Sequence, residues 1–409
     1  MVTALEGLKI VSFEWIVVGP LSTSYLAQQG ATVVKVESHV RPDGGRFVAP
    51  FKDGIVSPDR SGFFFHQNTS KYSVSINVKK PAGKAVIEKL IKWADVVVEN
   101  MTPGVMKNLD LDYQAARTIN PGIIYVSISI QGQYGPHYRA TGYGQLAAAL
   151  AGCSHLAGWP DRGPAPPHGA YVDFITARFV PCLILAAIDY RNRTGKGQYI
   201  DNSILENTAY FFSLPVMDYV VNNRVMNRSG NRHPSACPHG VFKCKGNDRW
   251  VAIAIFTDAE WQAFCSVTKK TQWVDDNRFH TFVDRKKNED ELERQINEWT
   301  IDYTPEEVEG FLQKAGVQAG HVESNSDLFR DSHLKETGFF KELNHPVIGP
   351  TAHVGIASNY SRTKEIQFPA PILGEHNQKV LKKFLGMSDD DIANLYVEGA
   401  ITTEADFPF

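Results

Sequence analysis

The sequence predicts an α/β fold built on a parallel β-sheet, and two observations indicate this class. Short apolar strands alternate regularly with helices over roughly the first half of the chain. The opening unit has a strand at Lys9–Phe13, a helix that starts at Gly19-Pro20 and stops at Gly30, and a second strand at Thr32–Glu37. A strand–helix–strand unit sets two parallel strands side by side, with the helix on one face of the sheet.

The alternation continues beyond this first unit. Further strands are predicted at residues 72–78, 95–99, 123–128 and 198–201. Helices are predicted at residues 81–93 and 145–150, and from Phe174 to Thr194 with a kink at Pro181. Ser203 and Glu206 form the pattern of a capping box that opens another helix. Residues 39–62 and 131–144 are glycine- and proline-punctuated loops, and long loops of this kind often carry function.

The chain is long enough to form two domains. Its 409 residues exceed what one hydrophobic core usually serves. An asparagine-rich stretch near residues 220–234 indicates a domain crossing. A smaller α+β domain is predicted over residues 223–324, with strands at 240–243 and 250–255 and helices at 258–267, 288–299 and 305–314. Residues 325–409 end in two predicted helices, at 375–385 and 389–396.

Composition and charge narrow the class of function. The chain is 43% hydrophobic and 21% charged, as is usual for a globular protein. A net charge of −3 argues against a nucleic-acid-binding surface. We expect no signal peptide and no bilayer span, because the apolar runs are short or interrupted. Five cysteines without a paired pattern fit a reducing cytosol, so a cytoplasmic location is expected.

One carboxylate, Asp173, lies between a loop and an apolar helix. The glycine- and proline-rich run Arg162–Gly169 precedes it, and the helix that follows stops at Thr194-Gly195. An aspartate in this position can cap the helix by accepting hydrogen bonds from free backbone N–H groups. It can also act as a nucleophile that forms a covalent acyl intermediate. Position alone favours the cap.

Two other candidate sites are unconvincing. Glu37 ends the second strand, where a dinucleotide fold keeps its ribose-binding acid, but the first turn lacks Gly-x-Gly-x-x-Gly, so NAD binding is not expected. The series His233, Cys237, His239 and Cys244 does not have a standard zinc spacing, so no metal is predicted.

Basic residues near the predicted carboxyl ends of strands could bind a polyphosphate ligand. By default such side chains lie on the solvated surface, although several together can collect phosphate groups. They are Lys35, His39, Arg41, Arg46, Lys71, Lys107 and Arg139.

Seven stretches of the sequence together resemble the class III CoA-transferases. This family includes formyl-CoA, carnitine and benzylsuccinate CoA-transferases and related acyl-CoA racemases. The resemblance runs from Leu5 to about Ile401. The stretches are Leu8–Phe13 with Gly19-Pro20, Gly30–Glu37, Ala94–Asn100 with Pro103–Met106, Gly132–Pro136, Thr194–Gln198, Gly230–Pro234 and Pro371–Asn377.

The resemblance implies that Asp173 is the catalytic residue. It stands where the family keeps an aspartate that alternates between a mixed anhydride and an aspartyl-CoA thioester. A coenzyme A thioester is then a substrate, and no tightly bound cofactor is expected. The implied CoA contacts are Ile16, Val17, Val18, Ile76, Asn100, Met101 and Arg139, with Lys71 nearby. Ser38 and Asn108 replace arginines that relatives use for the phosphates, so Lys35, His39, Arg41 or Lys107 must serve instead.

The resemblance also implies the architecture and the partners. Both chain ends should form one Rossmann-like domain around the inserted α+β domain, and two chains should interlock as a homodimer or as a heterodimer with a related subunit. A benzylsuccinate CoA-transferase subunit that uses succinyl-CoA is the interpretation we favour. Seven aromatic residues either line an aromatic pocket or pack in the ordinary core, and both interpretations stay open: Phe63, Phe64, Phe65, Trp159, Tyr171, Phe211 and Phe212.

Two alternatives within the family stay open. One is a non-catalytic CoA-binding subunit of a heteromer. The other is an acyl-CoA racemase, which is less favoured because the loop residues Gly142-Tyr143-Gly144 lack the histidine that the racemases use as a second base.

Overall fold

A six-stranded parallel sheet forms the centre of the larger of two units in the computed structural model, which describes residues 2–408. The strand order is β3-β2-β1-β4-β5-β6, and every neighbouring pair is parallel. The strands are β1 (Lys9–Phe13), β2 (Thr32–Glu37), β3 (Tyr72–Ser75), β4 (Val96–Glu99), β5 (Ile124–Ser129) and β6 (Tyr199–Ser203). The predicted α/β class with a parallel sheet is therefore confirmed.

Helices cover both faces of this sheet, because its strands are apolar on both sides. On one face, α1 (Val18–Gln28), α6 (Gly144–Leu150) and α8 (Tyr171–Thr194) pack in one apolar cluster with the sheet. On the other face, α3 (Pro81–Trp93) and the carboxyl-terminal helices pack in a second cluster. The remaining helices of this part are α2 (Gly62–Gln67), α4 (Val105–Asn108), α5 (Tyr113–Ile119), α9 (Ile204–Phe211) and α10 (Ser213–Asn222). Helix α7 (Cys153–Leu156) begins in this unit, and its last two residues belong to the smaller one.

Helix α8 differs from its prediction in where it begins and agrees with it in where it ends. It begins at Tyr171, before the expected start at Phe174, and it continues through Pro181 to Thr194. Gly195 then ends it in the left-handed conformation, with φ of 73°. By length and composition α8 is apolar enough to cross a bilayer. Its buried side chains pack against α1 and the sheet, as in a core helix.

The edge strand β3 is closed by the carboxyl-terminal part of the chain. Ser75 donates its backbone N–H to Asn377 Oδ1 at 2.7 Å, and Thr402 donates its N–H to the carbonyl of Ser75 at 3.0 Å. Ile76 and Ile401 form an isolated antiparallel bridge. The large unit comprises residues 2–154, 166–224 and 336–408 among those described. It includes a hairpin of β10 (Phe340–His345) and β11 (Gly349–Val354), α17 (Asn377–Lys379) continued by a π-helical turn at Val380–Phe384, and α18 (Asp389–Val397).

The smaller unit, residues 155–165 and 225–335, has its own core. Three antiparallel strands in the order β7-β8-β9 pack with Trp261, Phe264 and Trp273. The strands are β7 (His239–Lys243), β8 (Trp250–Ala254) and β9 (Gln318–His321). The helices are α11 (Asp258–Val267), α12 (Phe282–Lys287), α13 (Glu289–Thr300), α14 (Pro305–Lys314), α15 (Asn325–Leu328) and α16 (Ser332–Glu336). The last residue of α16 belongs to the large unit.

The boundaries of the two units differ from the predicted ones. The chain leaves the large unit after residue 224 rather than 222, and it returns after residue 335 rather than 324. Residues 155–165 also belong to the small unit, which the sequence did not indicate.

Candidate active site

Asp173 lies in the first turn of α8 and does not cap the helix. The cap position is Ala170, whose side chain makes no capping hydrogen bond, and the backbone N–H of Asp173 already bonds the carbonyl of Ala170 at 2.9 Å. Only 6% of the Asp173 surface is exposed. The capping interpretation of this aspartate is therefore wrong, and its carboxylate is free for another role.

The surroundings of Asp173 disfavour ionisation of its carboxyl group. Burial raises the pKa of Asp173 to about 7, and a backbone hydrogen bond from Gly144 acts in the opposite direction. No ion pair with a cation is found for this carboxylate among residues 2–408, so its charged form is poorly solvated. Such an oxyanion is a stronger nucleophile than one in water.

A turn at the carboxyl end of β1 is held by the turn that follows β4. Trp15 donates its backbone N–H to Asn100 Oδ1 at 2.7 Å, and Asn100 Nδ2 donates to the Trp15 carbonyl at 2.9 Å. The strand order reverses between β1 and β4, and open α/β sheets bind ligands in the crevice at such a point. Asn100 thus fixes the shape of this crevice through its side chain.

Ile16 is strained within this turn. Its φ of 67° lies in the left-handed region, which is unfavourable for a β-branched residue. The carboxylate of Asp43 accepts the N–H of Ile16 at 2.9 Å and stabilises the conformation. Val17 and Val18 follow, both buried. Strain that the surroundings maintain is typical of ligand-binding turns.

Lys35 and Lys71 lie in the core rather than at the surface. Neither side chain is exposed. Lys35 Nζ pairs with Asp43 at 2.9 Å, and Lys71 Nζ pairs with Glu14 at 2.6 Å. Burial lowers the pKa of Lys71 to about 8 despite the Glu14 carboxylate. The prediction that these lysines contact CoA does not agree with their position, because both are paired inside the protein.

Arg46 is also buried, although arginines in loops were expected to be solvated. Its guanidinium makes a two-point ion pair with Glu37, at 2.9 Å from Nε and 2.7 Å from Nη2, and a third contact with Asp59 at 2.7 Å. This pair anchors the loop of residues 39–62 on β2. Glu37 is 4% exposed and fully engaged, so it is not available to a ribose.

Three of the predicted basic residues remain exposed, namely Arg41, Lys107 and Arg139. The Arg41 guanidinium lies over the Trp15 ring, 4.8 Å from its centroid. Arg139 donates to Tyr138 Oη at 2.8 Å. No carboxylate pairs with any of the three within the described part of the chain. Of the predicted basic residues, these three are the exposed ones that remain available to an anionic ligand.

The other residues predicted to contact CoA differ in their burial. His39 is 5% exposed and bonds Ser75 Oγ through Nδ1 at 2.8 Å, and its burial lowers its pKa. Ile76 is 2% exposed and lies in the core. Met101 is half-buried in the turn after β4. His39 and Ile76 are therefore poor candidates for direct contact with a ligand.

Glu99 is a second perturbed carboxylate that the sequence did not single out. It ends β4, is 3% exposed, and accepts the backbone N–H of Met101 at 2.8 Å. Burial raises the pKa of Glu99 to about 7, and a hydrogen bond from Ser127 opposes this. Its position at the end of a central strand could have drawn attention, but its burial was not visible in the sequence.

The candidate aromatic pocket does not form as one cluster. Phe64 and Phe65 are core residues, at 0% and 2% exposure. Trp159 belongs to the small unit, where it packs over Gly230. Tyr171 and Phe211 are exposed at 42% and 52%. Phe64 and Phe65 are therefore core residues and do not line a substrate pocket.

The histidines and the cysteines of the series considered for zinc differ in burial, since His233 and His239 are half-buried. Cys237 and Cys244 are completely buried among apolar side chains. Across residues 2–408, no group of three or more histidine, cysteine, aspartate or glutamate side chains is arranged to hold a metal.

Comparison with known proteins gives a consistent result. The model of CoA-transferase family III matches residues 5–377. Succinyl-CoA:glutarate CoA-transferase of Mus musculus is 30% identical over 97% of this chain and 90% of its own length. The alpha subunit of succinyl-CoA–L-malate CoA-transferase of Chloroflexus aurantiacus is 28% identical over 96% of this chain and 91% of its own length. The crystal structure of a CAIB/BAIF family protein from Brucella suis superposes with a TM-score of 0.87 at 27% identity, covering 94% of this chain and 100% of that one.

Proposed function

The chain belongs to CoA-transferase family III, and we propose that it moves coenzyme A from succinyl-CoA to an organic acid through a covalent intermediate on Asp173. The observation that carries this proposal is a buried carboxylate that no cation neutralises within residues 2–408. Asp173 neither caps its helix nor forms an ion pair within residues 2–408, and Gly144 is the one hydrogen-bond donor described for it.

The proposed reaction proceeds in four steps that balance. Asp173 Oδ attacks the donor thioester carbonyl, the C–S bond breaks, and a mixed anhydride and CoA thiolate form. The thiolate attacks the aspartyl carbonyl and expels the donor acid, which leaves an aspartyl-CoA thioester. The acceptor carboxylate attacks this thioester, releasing the thiolate and forming a second anhydride. The thiolate then attacks the acceptor carbonyl, which gives the new acyl-CoA and frees Asp173.

The environment of Asp173 supports this chemistry in two ways. Its burial limits water, which would hydrolyse the anhydride and the thioester. The backbone N–H of Gly144 lowers the pKa of Asp173, so it favours the charged carboxylate, and the same N–H would stabilise the oxyanion that forms when the aspartyl carbonyl is attacked.

We propose that CoA binds along the crevice between β1 and β4. The strained turn at Ile16, the adjoining Val17 and Val18, and the Asn100-Met101 turn would contact the thioester arm. Arg41, Lys107 and Arg139 would hold the phosphates, since Lys35 and Lys71 are paired in the core. The exposed positions of the three cations support this assignment.

Succinyl-CoA is proposed as donor because both named relatives carry that word in their names. Their acceptors, glutarate and L-malate, are dicarboxylic acids. Benzylsuccinate, the acceptor favoured from the sequence, is also a dicarboxylic acid, so it belongs to the same panel of test substrates. A cytoplasmic location remains part of the proposal.

A dimer is proposed as the working unit, either of two such chains or with a related subunit. Helix α10 supports it, because none of its residues is buried. Leu214 is 79% exposed, and Val220 and Val221 are 69% and 70% exposed. An apolar helix surface of this kind is typical of an interface. One relative is named as an alpha subunit, so a heterodimer stays a candidate beside the homodimer.

Trapping of the intermediate tests the proposal. Succinyl-CoA without acceptor, followed by hydroxylamine, should convert Asp173 to a hydroxamate and inactivate the enzyme, because hydroxylamine attacks activated acyl groups but not free carboxylates. Peptide mass spectrometry should place the modification between Gly169 and Arg178. The Asp173→Asn variant serves as the control. Modification at a cysteine such as Cys153 or Cys182 would identify another nucleophile, and no donor-dependent modification would favour a non-catalytic subunit.

A further inference from the structure

Gly144 and Asp173 approach more closely than a side chain at position 144 would allow. A β-carbon on residue 144 would lie 2.6 Å from Asp173 Oδ2, 2.7 Å from Cγ and 2.8 Å from Oδ1. Carbon atoms do not approach non-bonded atoms to such distances in proteins. Even an alanine would therefore collide with the whole carboxyl group.

The backbone conformation does not explain why residue 144 is glycine. Many glycines of this chain have φ in the left-handed region, but Gly144 does not. An ordinary L-residue could adopt its conformation as the first residue of α6. What the glycine provides is the missing side chain, since this absence lets the Asp173 carboxyl group lie close against the backbone of α6.

The two helices cannot easily move apart to relieve a collision. Ala147 and Ala148 of α6 are 0% and 3% exposed, and Val172 and Ala177 of α8 are both 0% exposed. All four belong to one apolar cluster with the sheet. Because packed cores resist displacement, the carboxyl group itself would have to rotate away.

We propose that Gly144 is a positioning residue for Asp173, and that its lack of a side chain fixes the orientation of the carboxyl group. This inference rests on the proposed role of Asp173 as nucleophile. A carboxylate held between the α6 backbone and its own helix presents the same oxygen to every incoming carbonyl. Residue 144 therefore influences kcat rather than the binding of substrate.

A double-mutant cycle in stability tests the contact without any assay of transfer. Gly144→Ala should lower the Tm of the otherwise wild-type protein by about 2 °C or more. In an Asp173→Ala background the same change should have little effect, because the group that collides is gone. An equal loss of Tm in both backgrounds would show that the carboxylate is not involved and would overturn the inference, whatever the reaction of the enzyme is.

Kinetics of the full-length protein then test the positioning role. Gly144→Ala should lower kcat at least tenfold, since a displacement of about 1 Å can cost ~100-fold, while KM for succinyl-CoA stays within about twofold. The acid limb of the pH–rate profile should move to higher pH, because the hydrogen bond that favours ionised Asp173 is weakened.

The matched control is Gly142→Ala, two residues earlier. A β-carbon there meets the flexible end of Leu146, at 2.6 Å from Cδ2, and not Asp173. Equal kcat and equal acid limbs for the two variants would overturn the inference. Full activity of Asp173→Asn would instead contradict the proposed function. The double-mutant cycle in stability would still decide whether residue 144 and the Asp173 carboxyl group are in contact.

Discussion

The carboxylate of Glu37 and the guanidinium of Arg46 form a two-point ion pair inside the large unit, with both side chains completely withdrawn from solvent. Glu37 ends β2, and Arg46 lies in the loop that leads away from it. Burial alone would raise the pKa of the Glu37 carboxyl, but Arg46 lowers it to about 2. The pair ties the loop beside the proposed CoA crevice to the sheet.

Replacement of Arg46 should therefore destabilise the protein strongly. Arg46→Met leaves Glu37 and Asp59 without their cation, and a buried charge that loses its partner typically costs about 3–5 kcal/mol. Urea unfolding would measure the loss. The matched control is Arg60→Gln, which removes the exposed pair with Asp53 and should cost at most about 1 kcal/mol. Similar unfolding midpoints for both variants would contradict this account of the loop.

The pH dependence of transfer should follow the ionisation of Asp173. The attacking group is the carboxylate, so kcat/KM should rise with pH through a midpoint near 7, the raised pKa of the free enzyme. The measurement is a pH–rate profile with succinyl-CoA and a saturating acceptor acid. A midpoint near 4, typical of a solvated aspartate, would mean that the carboxyl group is not desolvated in the active enzyme.

Asp173→Asn should abolish transfer and stabilise the fold at neutral and higher pH. An amide cannot form the anhydride, so activity should fall by several orders of magnitude. The folded pKa is raised from 3.8 to about 7, so the stability that comes from the protonated form is complete below 3.8 and is lost as pH rises through about 7. Asparagine keeps that contribution at every pH. Melting curves should show the variant above wild type at pH 8 and equal to it near pH 4, and a lower Tm at pH 8 would contradict this.

Arg41→Gln should weaken recognition of the nucleotide half of CoA. A hydrogen bond to a charged group contributes about 1.5–3 kcal/mol, so KM for succinyl-CoA should rise about tenfold or more with little change in kcat. Succinyl-pantetheine, which lacks the nucleotide, should be used equally well by variant and wild type. Arg60→Gln again provides the control. A matching rise in KM for the pantetheine thioester would place Arg41 on a different part of the substrate.

The elements that the sequence predicted well are those with local signals. Proline at the first helical turn defines the start of α3 and α14, and a threonine cap defines that of α11. Strand β9 was missed because Gln-Ala-Gly-His has no apolar pattern. The β10–β11 hairpin was missed for a related reason, since Leu343 and His345 are the only residues of β10 that are buried.

The site was harder to predict than the fold because burial depends on distant partners. Lys71 is buried beside Glu14, 57 residues away in sequence, and Arg46 also contacts the carbonyl of Pro371, 325 residues away. A single sequence does not show such pairs, so both side chains were expected at the surface. Asp173 stood out because its loop and helix are local features, but its position alone favoured a cap, and its catalytic role is a prediction from the family resemblance. Its contact with Gly144 depends on how α6 and α8 pack.

The closure of β3 by the far end of the chain has a consequence for biosynthesis. Asn377, which satisfies the Ser75 N–H, is made 302 residues after it. At about 5–20 residues per second, the ribosome needs roughly 15–60 seconds to cover that interval. Throughout this time the outer edge of β3 presents unpaired backbone groups, and such an edge is a template for association with other nascent chains. The small unit lies entirely upstream of Asn377, so its core can form before the outer edge of β3 is covered.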